Sequence, residues 1–544
     1  MGNMNKARKV GRFGAGITGV SAMLGLIYGG SAQAFPVDVG NSDITINWDQ
    51  SLRLNAAMRA KNRDPNGPGT TASRDESEFL FNKNDAIAER VDLFSEFDLA
   101  YKGMLGLRVS GSAWYDAAYK DHGRSNPALA SVANYPGNVF SPYIKRYYQG
   151  PSGELNDVFV WTNVKVPAGV ANIKLGRFGL LWGEAMFGTA SANSIAASMS
   201  PGDGQKAAIS PGATAKETQL PINQLAATLP LSDGLELSLQ YTLEYRASRA
   251  AEGGTYFGSS DVSLSGPVVN YAGTVPLYRR DPVNGQKGDI GIMARYSPSW
   301  FDGTLGLVYR QYDDKALGYA QAVVAQKFYR LVANRDVKLV GLTANTIVQD
   351  MSVGVELSYR KGQGLAGSLD AVSMRPARGE TIHGLLNVTK SFGQTSAWST
   401  AALAGELTVM HLQKITDNPT FYQGNTAACA SRDITLGCPT RNAVHLAVSF
   451  SPTWQQVAPS VDLSAPMVLM RGLKGNGAAI GSGINEGSTV YSLGLSASLY
   501  SKHTLALSYN GYAGKHRGTG ATFVSNGSAN YDKNWLGLSF QTNF

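Results

Sequence analysis

The chain has 544 residues, of which only 16% are charged, with 62 glycines and 25 tyrosines. So low a charge argues against several soluble domains, and a mean hydropathy of −0.14 argues against a bundle of apolar helices. Both exclusions are met by an all-β transmembrane barrel, whose strands are apolar on one face only.

The first 34 residues read as a signal peptide. Lys6, Arg8, Lys9 and Arg12 form a basic start, Phe13 to Tyr28 carries no charge, and Ala32-Gln33-Ala34 is a cleavage site. Its removal lowers the net charge from +8 to about +4, too mild to point to nucleic acid. Residues 35–544 are then the barrel. No later stretch approaches the roughly 18 apolar residues of a spanning helix, so a membrane location requires a closed sheet.

From there the dominant period is two. Leu235, Leu237, Leu239 and Tyr241 alternate with Glu236, Ser238 and Gln240; Val353, Val355, Leu357 and Tyr359 alternate with Gly354, Glu356 and Ser358. About eighteen such segments are predicted. They lie at 44–58, 88–101, 104–118, 156–166, 170–181, 220–231, 234–247, 288–297, 303–313, 337–348, 351–361, 380–391, 398–412, 442–452, 459–470, 488–500, 503–513 and 533–544. Prolines make 220–231 and 459–470 the weakest of these. Tyrosines such as Tyr101, Tyr296 and Tyr359 close apolar rows, as an aromatic girdle would.

Connections sort by parity. Those after even-numbered strands are short, as at Lys102-Gly103 and Gln349-Asp350; those after odd-numbered strands are mostly long, as at 59–87, 119–155, 182–219 and 248–287. Short periplasmic turns facing long extracellular loops are the outer-membrane arrangement.

The third long loop, 182–219, is rich in Ala, Ser and Gly and begins Trp182-Gly183-Glu184. Its small residues suit packing inside a barrel as a constriction, with Trp182, Glu184, Asp203, Lys216 and Glu217 as its candidates; an exposed outer loop fits the residues equally well. Strand parity points Arg53, Arg108, Lys174, Glu236, Glu244, Arg310, Glu356 and Arg360 into the lumen. Their mixed sign suits ion pairs that brace the wall better than a filter for one ion sign. The segment Gly475 to Gly481 reads as a mobile outward loop. Cations at Lys145-Arg146 and Arg279-Arg280 lie in outward loops, within reach of lipopolysaccharide phosphates or simply solvated.

Cys429 and Cys438, the only cysteines, are expected to form a disulfide in an oxidising compartment; with no histidine nearby they do not suggest a metal site. No G-x-S-x-G motif accompanies the six histidines, so neither an enzyme nor a cofactor is expected. The last strand alternates Leu536, Leu538, Phe540, Thr542 and Phe544, the terminal pattern by which barrels engage their assembly machinery.

Gly176-Arg177-Phe178, Leu181-Trp182-Gly183-Glu184, Lys216-Glu217, Leu220-Pro221, Gln240-Tyr241 and Gly254-Thr255-Tyr256-Phe257, with Val39-Gly40 and Trp48-Asp49, resemble a family of proteobacterial outer-membrane proteins known only as a domain of unknown function. The resemblance implies nearly the whole mature chain and transfers no catalytic residue. Its members' company, a periplasmic protein resembling lipoprotein carriers and a permease resembling lipid exporters, implies a hydrophobic or lipid-like cargo.

The expectation is therefore an outer-membrane channel or transporter for small molecules, surrounded by outer-membrane lipid and lipopolysaccharide. A general diffusion porin, an outer-membrane enzyme and a structural or adhesive barrel are the alternatives. The first strand begins about ten residues after the cleavage site, which leaves no room for an N-terminal plug. A hydrophobic cargo would need a gap in the wall or a lining supplied by 182–219.

Overall fold

The computed structural model describes residues 36–71, 74–187, 193–210, 213–258, 260–261, 266–271, 275–519, 522–526 and 530–544; the expected leader lies outside them. Eighteen antiparallel strands close into a barrel. The first nine are β1 (Ile44–Arg59), β2 (Ala86–Tyr101), β3 (Leu105–Asp116), β4 (Ser152–Val166), β5 (Gly169–Phe178), β6 (Ile222–Ser232), β7 (Leu235–Thr242), β8 (Ile290–Tyr296) and β9 (Gly303–Tyr312). They continue as β10 (Val337–Val348), β11 (Met351–Leu369), β12 (Pro376–Phe392), β13 (Thr400–Asp417) and β14 (Asn442–Ala458). Next, β15 is split into Val461–Ser464 and Met467–Lys474, before β16 (Thr489–Leu499), β17 (His503–Ala513) and β18 (Trp535–Asn543). The split falls at Pro466, which has no N–H for the ladder, and both halves still pair with β14 and β16.

Closure is direct. Strand β18 pairs with β1 from Ser51↔Asn543 to Arg59↔Trp535, and Phe544 exchanges backbone hydrogen bonds with Gln50 at 2.9 and 2.7 Å. Closure gives every strand a hydrogen-bonded neighbour on both sides over most of its length, which is what lets this sequence span a membrane without helices. Among the described residues no helix is long and apolar enough to do so.

Alternation sorts the two faces. Leu307, Leu342 and Leu357 are paired across β9, β10 and β11 and all stand exposed on the outside. On the other face of the same strands Val308, Leu339, Glu356 and Ser358 are buried inside. An apolar outer band around a polar, packed interior is the outer-membrane type of barrel.

The outward loops build a cap. Phe81, Tyr119, Tyr135, Phe140, Ile144, Tyr148 and Tyr256, from the first, second and fourth loops, form one buried aromatic cluster with Trp535 at the head of β18. Rings meet edge to face, as in Phe81–Tyr119 with centroids 5.6 Å apart. The fourth and fifth loops add a four-stranded sheet, Val268–Tyr271, Val275–Arg279, Tyr319–Val323 and Phe328–Val332. Arg280 lies over the Phe328 ring of this sheet, and Arg279 pairs with Glu252 at 2.6 Å. The eighth loop, read from sequence as mobile, is tucked inward: Asn476, Ala478, Ala479 and Ile484 are buried. Cys429 and Cys438 form a disulfide in the seventh loop.

Candidate functional site

The third loop runs inside the barrel. It leaves β5 at Phe178 and drops Trp182 against Met293, Val308 and Leu339 on the inner face of β8–β10, together with its own Ile195 and Met199. Gly183 has φ +107°, and a Cβ there would strike the Glu356 carboxylate, so this step needs glycine. The wall then holds the loop by its backbone. The buried Glu356 carboxylate accepts N–H groups from Glu184 at 2.5 Å, Ala185 at 3.2 Å and Ile195 at 2.8 Å. Glu406 accepts from Met186 at 2.7 Å and Phe187 at 3.4 Å. Arg360 donates to the Ser194 carbonyl at 2.9 Å, and Asn345 and Asn387 donate to Glu184. Charged acceptors and donors make such bonds about twice as strong as neutral ones, so these wall charges act as clamps.

Phe187 reaches still further, into Ala447, Val468, Met470, Ile484 and Val490 beneath β14–β16. Residue Asn193 donates to Ser482 of the eighth loop at 3.1 Å, and its amide oxygen lies 3.0 Å from His383. The ring of His445 is buried and meets the Ile484 carbonyl at 2.7 Å. Among the described residues no three His, Cys, Asp or Glu side chains gather into a metal-binding group.

The returning arm crosses to β1 and β2. Asp203 caps the short helix Gly204–Ile209 through Lys206 N–H at 2.8 Å and pairs with Arg249 at 2.9 Å. Glu217 pairs with Arg53 at 2.7 Å, both buried, and with Lys206 at 3.7 Å. Lys216 pairs with Glu96 at 2.7 Å, and Ser210 donates to Asp92 at 2.9 Å. All five residues singled out in this loop therefore meet the wall or a neighbouring loop.

The lumen candidates separate by height. Arg53, Arg310, Glu356 and Arg360 are buried against the loop. Arg310 donates to Gln240 at 2.6 Å and lies 6.0 Å from the Trp182 ring. Nearer the short turns, Arg108 pairs with Asp98 at 2.6 Å, Lys174 lies 5.8 Å from the Phe159 ring, and Glu236 stands 4.0 Å from Arg295. These less buried groups line a polar vestibule below the loop. Glu244 lies past the end of its strand. Strand β7 ends at Thr242 rather than 247, and the Glu244 carboxylate accepts from Asn223 N–H and side-chain amide at 2.9 and 2.8 Å. Sequence reasoning missed Glu406, whose parity with Thr408 could have placed it inside, and missed Glu154 and Arg249, which meet each other 95 positions apart.

The early end of β7 belongs to a wider break in the wall. The β5–β6 hairpin stops at Phe178↔Ile222, whereas β4 continues from Asp157 up to Ser152 with pairing to β3 alone. Beyond Thr242 the chain turns in to meet the third loop, Arg249 and Gly202–Gly204 exchanging backbone bonds at 2.9 Å. Side chains reach across the resulting notch: Arg249 and Arg246 meet Glu154 at 2.7 and 3.4 Å. A cavity of about 510 Å³ lies there.

Solved structures with a similar course include the Acinetobacter baumannii protein OccAB2 (TM-score 0.44, 9% identity, 92% of this chain and 98% of that one). Others are the A. baumannii outer membrane channel DcaP (0.38, 10%, 94% and 99%) and Pseudomonas aeruginosa OpdK with vanillate (0.39, 10%, 92% and 98%). No curated protein matches the sequence significantly. Residues 15–544 match the proteins of unknown function DUF1302, and the chain, an outer-membrane-type β-barrel, belongs to that family.

Proposed function

We propose that the protein is an outer-membrane channel for small molecules, hydrophobic or amphiphilic ones in particular, whose axial path is closed at rest by the third loop. The observation that carries this reading is the clamping of that loop, across the lumen, by Glu356 and Glu406. Eighteen strands enclose a lumen wide enough for water unless something fills it; here a loop of small residues does so, held by hydrogen bonds that can be broken singly. A protein resembling a periplasmic lipid carrier would exchange cargo at the vestibule.

Conductance of the refolded protein in a planar lipid bilayer, with residues 184–215 intact and then deleted, tests the reading. A silent intact protein that conducts after the deletion is the expected result. Large steady currents from the intact protein would make it a general diffusion porin. Silence from both, with folding confirmed, would overturn any channel.

A further inference from the structure

The notch between β4 and β7 has features that a gap braced only for stability does not need. Strand β4 runs on for Ser152–Asp157, about 20 Å of strand, without a partner on its β5 side. The cavity beside it is lined from both faces of the wall. Leu155 is 58% exposed on the outer face, and Arg177 is paired with the outward Val158. Glu154, Arg246 and Arg249 come from the inner side, and Arg249 continues to Asp203 of the third loop.

The charge is unbalanced. Four guanidiniums, Arg146, Arg177, Arg246 and Arg249, line the cavity against the carboxylates of Glu154 and Glu244. Glu244 is engaged by Asn223, and Glu154 is shared by Arg246 and Arg249. Arg146 lies 5.0 Å from the Tyr147 ring, and among the described residues neither Arg146 nor Arg177 has a carboxylate partner. An arginine on the lipid face of a barrel is destabilising unless an anion or water meets it. The guanidinium fork fits carboxylate and phosphate oxygens two at a time. Beyond the arginines the outer face is apolar, with Leu155, Val158 and Val160 exposed in line along β4. A volume of about 510 Å³ is of the size that takes one small ligand.

We propose that this notch is a binding site for a single-chain amphiphile with a carboxylate or phosphate head. The head sits among the four arginines and the chain lies outward over Leu155 and Val158. Entry is lateral, from the outer leaflet, and the head competes with Glu154 for Arg246 and Arg249. That makes the site the mouth of the channel proposed above, and it rests on that reading only in taking the bound molecule as cargo.

The probe is hexadecanoate carrying a photoreactive diazirine on its chain, with the matching alcohol as control. Each is photolysed with the refolded full chain in phosphatidylcholine vesicles, and the adducts are mapped by mass spectrometry. Adducts of the acid are expected at 146–160, with labelling by the alcohol lower by about tenfold or more, the loss of a charge-assisted contact. Arg146→Gln with Arg177→Gln should reduce acid labelling comparably, while Glu154→Gln should increase it. Equal labelling by acid and alcohol, or indifference to the double arginine variant in a folded barrel, would overturn the site. So would loss of acid labelling when lipopolysaccharide is added to the vesicles, since the arginines would then serve resident lipid. Binding is read without flux, so a silent channel leaves this test standing, and a conducting deletion variant without acid-selective labelling would overturn this inference alone.

Discussion

Substitution of Glu356 by Gln isolates the clamp on the third loop. One carboxylate oxygen of Glu356 accepts from Glu184 and Ala185, and the other from Ile195. An amide keeps one oxygen; its nitrogen must then face at least one N–H, donor against donor. A hydrogen bond to a charged group contributes about 1.5–3 kcal/mol. Loss of one therefore raises the population of the undocked loop by roughly ten- to 150-fold. Hydrogen–deuterium exchange of the refolded protein checks this: amides of 184–187 and 193–195 should exchange faster by that factor, while the β11 ladder with β10 and β12 stays protected. Single-channel recordings should show openings more often than in the parent. Unchanged exchange at 184–195 in a folded Glu356→Gln barrel would refute the assignment of Glu356 as the principal clamp and shift the weight to Trp182 and Glu406.

The outer cap should respond to pH. In the first loop, burial and the neighbouring Asp261 push Asp75 up to about 7 and Glu76 up to about 8, and burial raises Asp261 itself, opposed by Lys533. Raised folded values favour the protonated carboxyls, so their contribution to cap stability is complete below the ordinary carboxylate range. It is lost as pH rises through about 7 to 8. Exchange protection at 74–78 and 253–258, corrected for intrinsic rates, should fall between pH 6 and 9, and a flat profile would contradict it. Replacing both Cys429 and Cys438 by Ser opens a closed loop of sequence separation 9. The loop-entropy relation gives roughly 2–3 kcal/mol for a ring of that size. Proteolysis within 418–441 should accelerate while the heat-dependent gel shift of the barrel is unchanged; a weakened barrel would show that the disulfide braces more than its own loop.

The eighteen strands, the direction of each side chain and the side on which loops are long were legible in the chain itself. Alternation such as Leu235 to Tyr241 is a property of neighbouring residues, and one face of every strand had to meet lipid. Arg53, Arg310, Glu356 and Arg360 were placed in the lumen for the same reason. The end of β7 was not legible in this way: the ladder stops at Thr242 rather than 247, where the chain turns in toward the third loop. The eighth loop's glycines suggested mobility, yet Ala478 and Ile484 are buried by the interior they pack against.

Whether 182–219 lies inside or outside could be decided only by the tertiary structure. Its small residues suit both positions, and what holds it in is Glu356, Glu406, Arg360 and Arg53, residues 157 to 220 positions away from their partners. The notch is equally invisible in one dimension, because it is a difference in length between β4 and the β5–β6 hairpin that emerges once register is set. Local pattern determines which way a side chain points; the closed sheet determines what it meets there, since closure brings together strands that are distant in sequence.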